Sequence, residues 1–516
     1  MQPLTPTWFL LLAPFAMAKR WLTRLLTILN LLPRLTPLPS RTLGKAIGRY
    51  CVLGLLSFSL ILTLGIVPAY SAFPEIRGVW ITNNDTSYFM DQERTKVAVD
   101  TLADLNFNTL YPVVWNSGYV LYESVIAKRE GIQPFSPLGD QNQDVLADLI
   151  ANAHRRGLLV MPWFEFGFMA PPFSELVKRH PRWLTQRQDG SKTTISGAGE
   201  VVWMNPFHPQ VQAFITELVM EVVTQYDIDG IQFDDHTALP HELGYDPYTI
   251  NLYQQETKKQ PPSNPKDPAW IKWRSQKITA FMAQLNAKVK AAKPDIWVSL
   301  SPATYRLASQ EYLQDWLEWI RQGIVDEVVV QVYRTKLSSF TEPIQRPEFR
   351  EAKTKVPTAV GILTGLPTKQ VPMPLVQQKV NAATAQDLGT AFFYYKTLWD
   401  VAPEERDKRL QAFKAMFPTP APRKRLAIQK PPTSTEPEIE APLETSPETV
   451  SPPADYTPPP VVGIPLTVEG PGESDAETPQ PSSPTIMPKP QTPASPSSDG
   501  FPPEPQLDPT IPSGWY

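Results

Sequence analysis

Short apolar runs alternate with amphipathic helical patterns along the middle of the chain, from residue 73 to residue 417. Each run is rich in β-branched or aromatic residues, and a stretch such as QDVLADLIANAHRRG, with apolar residues every three or four positions, follows it. Strands separated by helices predict a parallel sheet, and eight such units predict a closed (β/α)₈ TIM-type barrel. The predicted strands span residues 76–82, 108–115, 158–165, 229–235, 296–302, 325–333, 356–363 and 390–396.

A doubly wound open sheet is the alternative α/β architecture. Such sheets usually have fewer strands and a glycine-rich first turn that binds phosphate. Here the first strand is followed by Asn83, Asn84 and Asp85 instead. The barrel is therefore the favoured prediction for residues 73–417.

The last 99 residues differ in composition from the barrel region. They hold 27 of the 59 prolines, and their 13 acidic residues outnumber five basic ones. A segment so rich in Pro, Ser, Thr and Glu buries too little apolar surface to offset the entropy lost on ordering. Residues 418–516 are therefore predicted to be a disordered, acidic, Pro-rich tail.

Residues 1–72 carry seven basic residues and no acidic ones, and they include the uncharged apolar run CVLGLLSFSLILTLGIV at 51–67. Basic residues precede this run and small residues follow it, as in an export signal. Its 17 residues are also at the short limit for a membrane span, so retention as an anchor is an alternative to cleavage. A buried core helix is the remaining alternative. We expect the barrel to lie outside the cytoplasm, in the periplasm or cell envelope.

Charge and cysteine content exclude several classes of function. Between residues 73 and 417, 36 basic residues nearly balance 39 acidic ones, so no basic surface for nucleic acid is expected. Cys51 is the single cysteine, and the five histidines show no metal-binding spacing. We therefore predict neither a metal nor an organic cofactor.

Polar and aromatic residues follow the predicted strands at the end where TIM barrels place their chemistry. Carboxylates, amides and aromatic rings on one rim suit a carbohydrate, because rings stack on sugars and polar groups bind hydroxyls. These residues are Asn83, Asn84, Asp85, Trp115, Asn116, Glu165, Asp234, Asp235, His236, Ser301, Gln331, Tyr333, Arg334, Thr364, Tyr394 and Lys396.

Five segments resemble a known family in its own order. They are RGVWITN, AHRRGLLVMPWFEFG, WMNPFHPQVQAFI, YDIDGIQFDDH and QDWLEWIRQGIVDEVVVQVYR. Together they resemble the glycosyl-hydrolase-like family 10 of bacterial envelope proteins over roughly residues 74–417. The resemblance implies a TIM-type barrel and a glycosidase, and it connects some relatives to peptidoglycan glycan strands stripped of their peptides.

Asp234 and Glu165 are the leading catalytic candidates. Gln232 and Asp234 share one face at the end of the fourth strand, an arrangement that resembles the nucleophile position of several retaining barrel glycosidases. Glu165 lies between Phe164 and Phe166, where desolvation favours the protonated form and suits a general acid. Asp235 is the next candidate, on the opposite face of the strand.

Some of the other residues near the strand ends are predicted to bind substrate. Asp85 is a reserve acid, although the chemistry of an Asx turn explains it equally well, and Asn84 precedes it. His236 is expected to orient the aspartates, and Tyr333 and Arg334 to bind a carboxylate or hydroxyl. The predicted sugar-stacking rings are Trp115, Trp163, Tyr394 and Trp399.

Three functional hypotheses remain open at this stage. The first is a glycoside hydrolase acting on an envelope polysaccharide. The second is a catalytically silent sugar-binding barrel, because the fifth to eighth strands end without an acid. The third is a structural envelope protein whose Pro-rich tail carries the function.

Overall fold

The computed structural model describes residues 73–89, 91–132, 143–196 and 199–423. The predicted signal or anchor in residues 1–72 and the tail from residue 424 onward lie outside these ranges. Within the described ranges, no helix has both the length and the apolar character needed to cross a membrane.

Eight parallel strands form the centre of the structure, each inside or overlapping one predicted run. The third strand consists of two short pieces separated by Met161 and Pro162. The strands are β1 (Arg77–Ile81), β2 (Thr109–Pro112), β3 (Leu159–Val160 and Trp163–Phe164), β4 (Gly230–Asp234), β5 (Trp297–Ser301), β6 (Glu327–Gln331), β7 (Thr358–Leu363) and β8 (Gly389–Phe393).

Strand β3 closes the sheet into a barrel. Its first piece pairs with β2, through Thr109 and Leu159, and its second piece pairs with β4, through Gln232 and Trp163. The other strands pair in chain order, and β8 returns to β1. The predicted (β/α)₈ barrel is therefore confirmed.

Helices follow the strands around the outside of the barrel. Several begin at an Asp or Ser whose side chain accepts a hydrogen bond from a free backbone N–H of the first turn, as at Asp144 and Ser174. The helices are Thr86–Phe89, Gln92–Asp104, Val125–Arg129, Val145–Arg155, Glu175–Arg179, Pro209–Gln225, Pro247–Thr257, Pro268–Ala292, Tyr305–Glu311, Trp316–Arg321, Leu337–Ile344, Pro347–Ala352, Met373–Thr384 and Arg406–Met416, with 3₁₀ turns at Asn83–Asp85, Pro181–Trp183 and Tyr395–Leu398.

Short antiparallel strands extend the loops at the carboxyl ends of the barrel strands. The largest group joins Met169–Ala170 to Gly199–Trp203, which pairs in turn with Thr193–Ser196. Two smaller hairpins join Trp115–Asn116 to Tyr119–Val120 and Gly365–Leu366 to Lys369–Gln370. These additions surround the mouth of the barrel at which the candidate residues lie.

A chain of hydrogen bonds runs through the barrel interior. Trp80 Nε1 donates to Gln232 Oε1 (2.7 Å), and Gln232 Nε2 donates to Ser299 Oγ (3.0 Å). Ser299 Oγ in turn donates to Glu327 Oε1 (2.8 Å). These four side chains are fully buried, so the chain satisfies polar groups that would otherwise be costly inside the barrel.

A buried ion pair seals the floor of the barrel, at the amino ends of the strands. Arg423 donates to Glu327 Oε2 and to Thr109 Oγ1, and its guanidinium lies 5.2 Å from the centroid of the Trp297 ring. Tyr111 Oη donates to the other oxygen of Glu327 (2.8 Å). Residues 418–423, assigned by composition to the tail, thus lie against the barrel, while the remaining domain boundaries stay a prediction.

We expect Arg423→Ala to lower the free energy of unfolding by about 3–5 kcal/mol, because it leaves the Glu327 carboxylate buried without its counter-charge. Chemical denaturation of the full chain measures the loss. Lys128→Ala is the control, since it removes an exposed ion pair with Glu123 and should cost less than about 1 kcal/mol. Equal losses in the two variants would contradict a role for Arg423 in the floor.

Candidate active site

Asp234 lies at the centre of the barrel mouth and accepts hydrogen bonds from three side chains. Its Oδ1 accepts from Ser301 Oγ (2.8 Å) and Gln331 Nε2 (2.6 Å), and its Oδ2 lies 3.0 Å from His236 Nδ1. Ser301 and Gln331 end β5 and β6, so side chains from neighbouring strands converge on one carboxyl group. An ionised carboxylate only accepts hydrogen bonds, and this arrangement suits that form.

Gln314 holds the backbone of the same loop. Its Nε2 donates to the carbonyls of Asp234 (2.9 Å) and Thr237 (3.2 Å). Sequence reasoning placed Ser301 and Gln331 at the rim without a role, and it missed Gln314 entirely. Gln314 lies between two short helices and begins the segment QDWLEWIRQGIVDEVVVQVYR, but that segment does not indicate which backbone groups its side chain binds.

Glu165 follows β3 and is held by Asn116, whose Nδ2 donates to Glu165 Oε2. Burial, and next the charge of Asp234, raise the pKa of Glu165 to about 8. A carboxyl group with that pKa retains its proton at neutral pH and can donate it. The raised pKa therefore gives the predicted acid role of Glu165 a physical basis.

His236 joins the loops that carry Glu165 and Asp234. Its Nδ1 lies 3.0 Å from the backbone oxygen of Glu165, 3.0 Å from Asp234 Oδ2 and 3.3 Å from Asp235 Oδ1. The backbone oxygen of Glu165 can only accept a hydrogen bond, so Nδ1 carries a proton. Burial alone would lower the pKa of His236, but the charges of Asp235 and Asp234 outweigh it and raise the pKa to about 10.

Asp235 is a further buried carboxyl group in the mouth. Burial, followed by the charge of Asp234, raises its pKa well above the usual range. One ligand atom each from Asp234, Asp235 and His236 lies within 4.8 Å of the others, a grouping that could hold a metal ion. A cation there would take over the charge that the imidazolium now supplies.

Gly167 allows the two loops to approach closely. It has φ +48°, and a Cβ at this position would lie 2.5 Å from the carbonyl carbon of His236 and 2.6 Å from the nitrogen of Thr237. The neighbouring Phe168 N–H donates to the His236 carbonyl (3.1 Å). Only glycine accommodates both the positive φ and this backbone contact.

A cleft opens beside His236. One wall is the hairpin made of Thr193–Ser196 and Gly199–Trp203, and the other is formed by residues 240–242, 311 and 312. Its lining combines hydroxyl, carboxyl and imidazole groups with two aromatic rings, from Trp203 and Tyr312. Such a lining can hydrogen-bond sugar hydroxyls. Glu165 and Asp234, called the carboxyl pair below, belong to the two loops that His236 joins.

Asp85 holds two loops together. It is fully buried, and its Oδ2 accepts from the backbone N–H of Thr82 (2.7 Å) while its Oδ1 accepts from that of Lys396 (2.8 Å). Burial raises its pKa to about 7. Both oxygens accept from backbone N–H groups, and the bond from Thr82, three residues earlier, belongs to a capping box rather than to an Asx turn. Asp85 therefore has a structural role, and Asn84, beside it, is exposed.

The structure does not support the predicted stacking platforms. Each ring lies in the core, so it offers no face to a sugar: Trp115, Trp163, Tyr394 and Trp399 have exposures of 0, 2, 1 and 2 %. Trp115 contributes differently, since its Nε1 donates to the Gly167 carbonyl (3.0 Å).

Tyr333 and Arg334 differ from each other in accessibility. Tyr333 is buried against Phe393, with ring centroids 5.1 Å apart, and burial raises its pKa well above the usual range. Arg334 is partly exposed at the rim, and its carbonyl accepts a hydrogen bond from Lys379. Of this pair, Arg334 is therefore the residue that remains accessible for substrate binding.

A (β/α)₈ barrel with carboxyl groups gathered at its mouth defines the class of glycoside-hydrolase-like barrels. The chain belongs to the family described as glycosyl hydrolase-like 10, which matches residues 75–383. That region contains all three catalytic candidates.

Individual relatives are distant. "Glycosyl hydrolase DigH" of Escherichia coli (strain K12) is 25% identical over 287 residues, which is 51% of this chain and 62% of the relative. "Glycosyl hydrolase YngK" of Bacillus subtilis (strain 168) is 25% identical over 38% of this chain and 39% of its own length. The PgaB (BpsB) glycoside hydrolase domain of Bordetella bronchiseptica has a TM-score of 0.48 at 15% identity and covers 62% of this chain and 94% of that domain.

We expect Gly167→Ala to destabilise the protein more than Gly157→Ala does. Both glycines have a positive φ, but a Cβ at Gly157 meets nothing within 4 Å, whereas one at Gly167 meets backbone. Gly157→Ala should therefore lower the free energy of unfolding only by the cost of a positive φ in a residue that has a Cβ, about 1–2 kcal/mol. Gly167→Ala should lower it further. Thermal unfolding measures both, and equal losses would show that the loops do not need this approach.

We expect Glu165→Gln to stabilise the fold at pH 8–9 and to leave it unchanged near pH 4. The pKa of Glu165 is about 8 in the folded protein, above its ordinary value of 4.5, so its ionisation opposes folding. The loss of unfolding free energy caused by this ionisation is absent below pH 4.5, grows as the pH rises and is complete above pH 8. The melting temperature should rise by a few degrees, at roughly 2 °C per kcal/mol.

The control for this change is Glu93→Gln, an exposed glutamate on an outer helix. Its melting temperature should follow the wild type at every pH. A Glu165→Gln variant that is less stable than the wild type at pH 9 would contradict the assigned environment of Glu165.

Proposed function

We propose that the protein is a glycoside hydrolase acting on an envelope polysaccharide. The observation that carries the proposal is the pairing of Glu165, a partly buried acid whose pKa is raised to about 8, with Asp234, a carboxylate that accepts three hydrogen bonds. One site with carboxyl groups in opposite environments can run acid and base steps together. Membership of a glycosyl hydrolase-like family supports the same reaction class.

In the proposed reaction, Glu165 gives its proton to the glycosidic oxygen as the bond from that oxygen to the anomeric carbon breaks. Asp234 either attacks the anomeric carbon, forming a glycosyl ester that water then hydrolyses while Glu165 takes a proton from that water, or it takes a proton from a water that attacks the anomeric carbon directly. Loss of its proton leaves Glu165 negatively charged beside Asp234. The imidazolium of His236, in contact with Asp234 and with the Glu165 backbone, then offsets the added charge.

Peptidoglycan glycan strands stripped of their peptides are the proposed substrate. We also propose that the barrel works outside the cytoplasm, on the basis of the basic flank and apolar run at residues 51–67. Incubating the protein with these strands, with amino-sugar homopolymers and with glucans, followed by mass spectrometry of the products, tests the substrate. Fusion of residues 1–72 to a reporter that is active only after export tests the location.

A sugar-binding barrel without catalysis is the second candidate. Strands β5 to β7 end at Ser301, Gln331 and Leu363, and β8 ends at Phe393, so no carboxylate ends these four strands. Such a protein would retain glycans without releasing products. The product analysis therefore separates the two candidates directly.

We expect Asp234→Asn and Glu165→Gln each to lower kcat by about 10²–10⁴-fold, the usual contribution of a positioned acid or base. Asp295→Asn, an exposed acid at the opposite end of the barrel, is the control and should retain wild-type kcat. Wild-type activity should fall as the pH rises above about 8, because Glu165 then loses its proton. A folded Glu165→Gln variant with normal kcat would show that another group is the acid.

A further inference from the structure

We propose that Phe173 is a sugar-stacking platform for a ring of the glycan chain away from the bond that is cut. The inference rests on the proposed function and adds a binding residue to it. Phe173 is 74 % exposed, although a phenyl side chain is usually buried in a protein core. An isolated exposed apolar residue is common, so the argument depends on where this ring lies.

Phe173 belongs to the loop after β3, which also carries Glu165. It lies beside the loop after β2, which carries Asn116. Its neighbour Ser174 has its Cβ 3.2 Å from the position that a Cβ of Gly118 would occupy. Gly118 follows Asn116 by two residues, so their Cα atoms are at most about 7.6 Å apart. Asn116 donates the hydrogen bond to the Glu165 carboxyl group. A glycan that reaches Glu165 therefore has sugar units within range of Phe173.

The segment around Phe173 is held on both sides. Ala170 pairs with Val202, and Pro171 and Pro172 fix two backbone φ angles directly before the ring. The N–H of Ser174 donates to the Pro171 carbonyl (3.1 Å), and its hydroxyl caps the helix Glu175–Arg179. A ring presented from such a segment loses little conformational entropy when it binds a ligand.

Aromatic alternatives are few among the described residues. The four rings nominated from sequence are buried, as shown above. Tyr248 is the other aromatic residue with a markedly exposed side chain, at 37 %, and its ring lies 4.9 Å from that of His208. Among the described residues, Phe173 therefore has the most exposed aromatic side chain, and the flat C–H face of a pyranose is the matching ligand.

The test compares Phe173→Ala, Phe173→Leu and Phe173→Tyr, with Val97→Ala as a control that trims an exposed apolar side chain on an outer helix. Binding is measured by affinity electrophoresis through denuded peptidoglycan glycan strands, with Glu165→Gln present in every protein to prevent turnover. We expect Ala and Leu to weaken retention about three- to tenfold, the range of aromatic stacking. Tyr should retain the wild-type affinity, because the ring rather than its apolarity is required.

Kinetics on active proteins give a second, independent readout. Phe173→Ala should raise KM for long strands with kcat unchanged, and it should leave cleavage of a disaccharide aryl glycoside unaffected. Unchanged glycan retention in Phe173→Ala would overturn the platform, even if the protein is an active hydrolase. Weaker retention in a protein that cleaves no glycan would support the platform and refute the hydrolase. A change in oligomeric state by light scattering, with glycan affinity unchanged, would assign the ring to a protein interface and overturn the proposal.

Discussion

Closure of the barrel at β3 is the constraint on which the candidate site depends. One piece of this strand pairs with β2 and the other with β4, so hydrogen bonds fix it from both sides immediately before Glu165. Closed parallel sheets place the carboxyl ends of all strands at one mouth. Gly167 then brings the loop after β3 against the backbone of the loop after β4. The position of the acid relative to Asp234 therefore follows from backbone pairing rather than from the flexible glutamate side chain alone.

Electrostatic balance is the second requirement of the mouth. Three carboxyl groups and one imidazole share a volume from which water is largely excluded, where like charges repel strongly. The raised pKa values of Glu165 and Asp235 limit the negative charge in the mouth, and the raised pKa of His236 places a positive charge against it. Keeping these ionisable groups close together in a site with little water lowers the stability of the folded protein. Active sites commonly trade stability for activity in this way.

Local pattern was sufficient to predict some features but not others. Eight β/α units could be predicted because strand and helix periodicities are properties of neighbouring residues, and the acids at strand ends followed from barrel geometry. The aromatic platforms could not, because Trp115 and Trp163 have the same sequence context whether their rings face the core or the solvent. Gly167 and Gln314 act on backbone atoms about 70 residues away or more, and no local signal marks such contacts. Arg423 was hidden by its Pro-rich surroundings, which resemble the tail that follows.

At the floor of the barrel, two segments that are far apart in the sequence lie side by side. Asn108 Nδ2 donates to the carbonyl of Glu75, just before β1, and to that of Ala421, after the last helix. Arg77, at the start of β1, also donates to the Thr419 carbonyl. Residues 75–77 and 419–421 thus lie side by side at the base of the barrel and cover the end opposite the carboxyl pair. An extended polymer reaches the other end, the mouth, without displacing either segment.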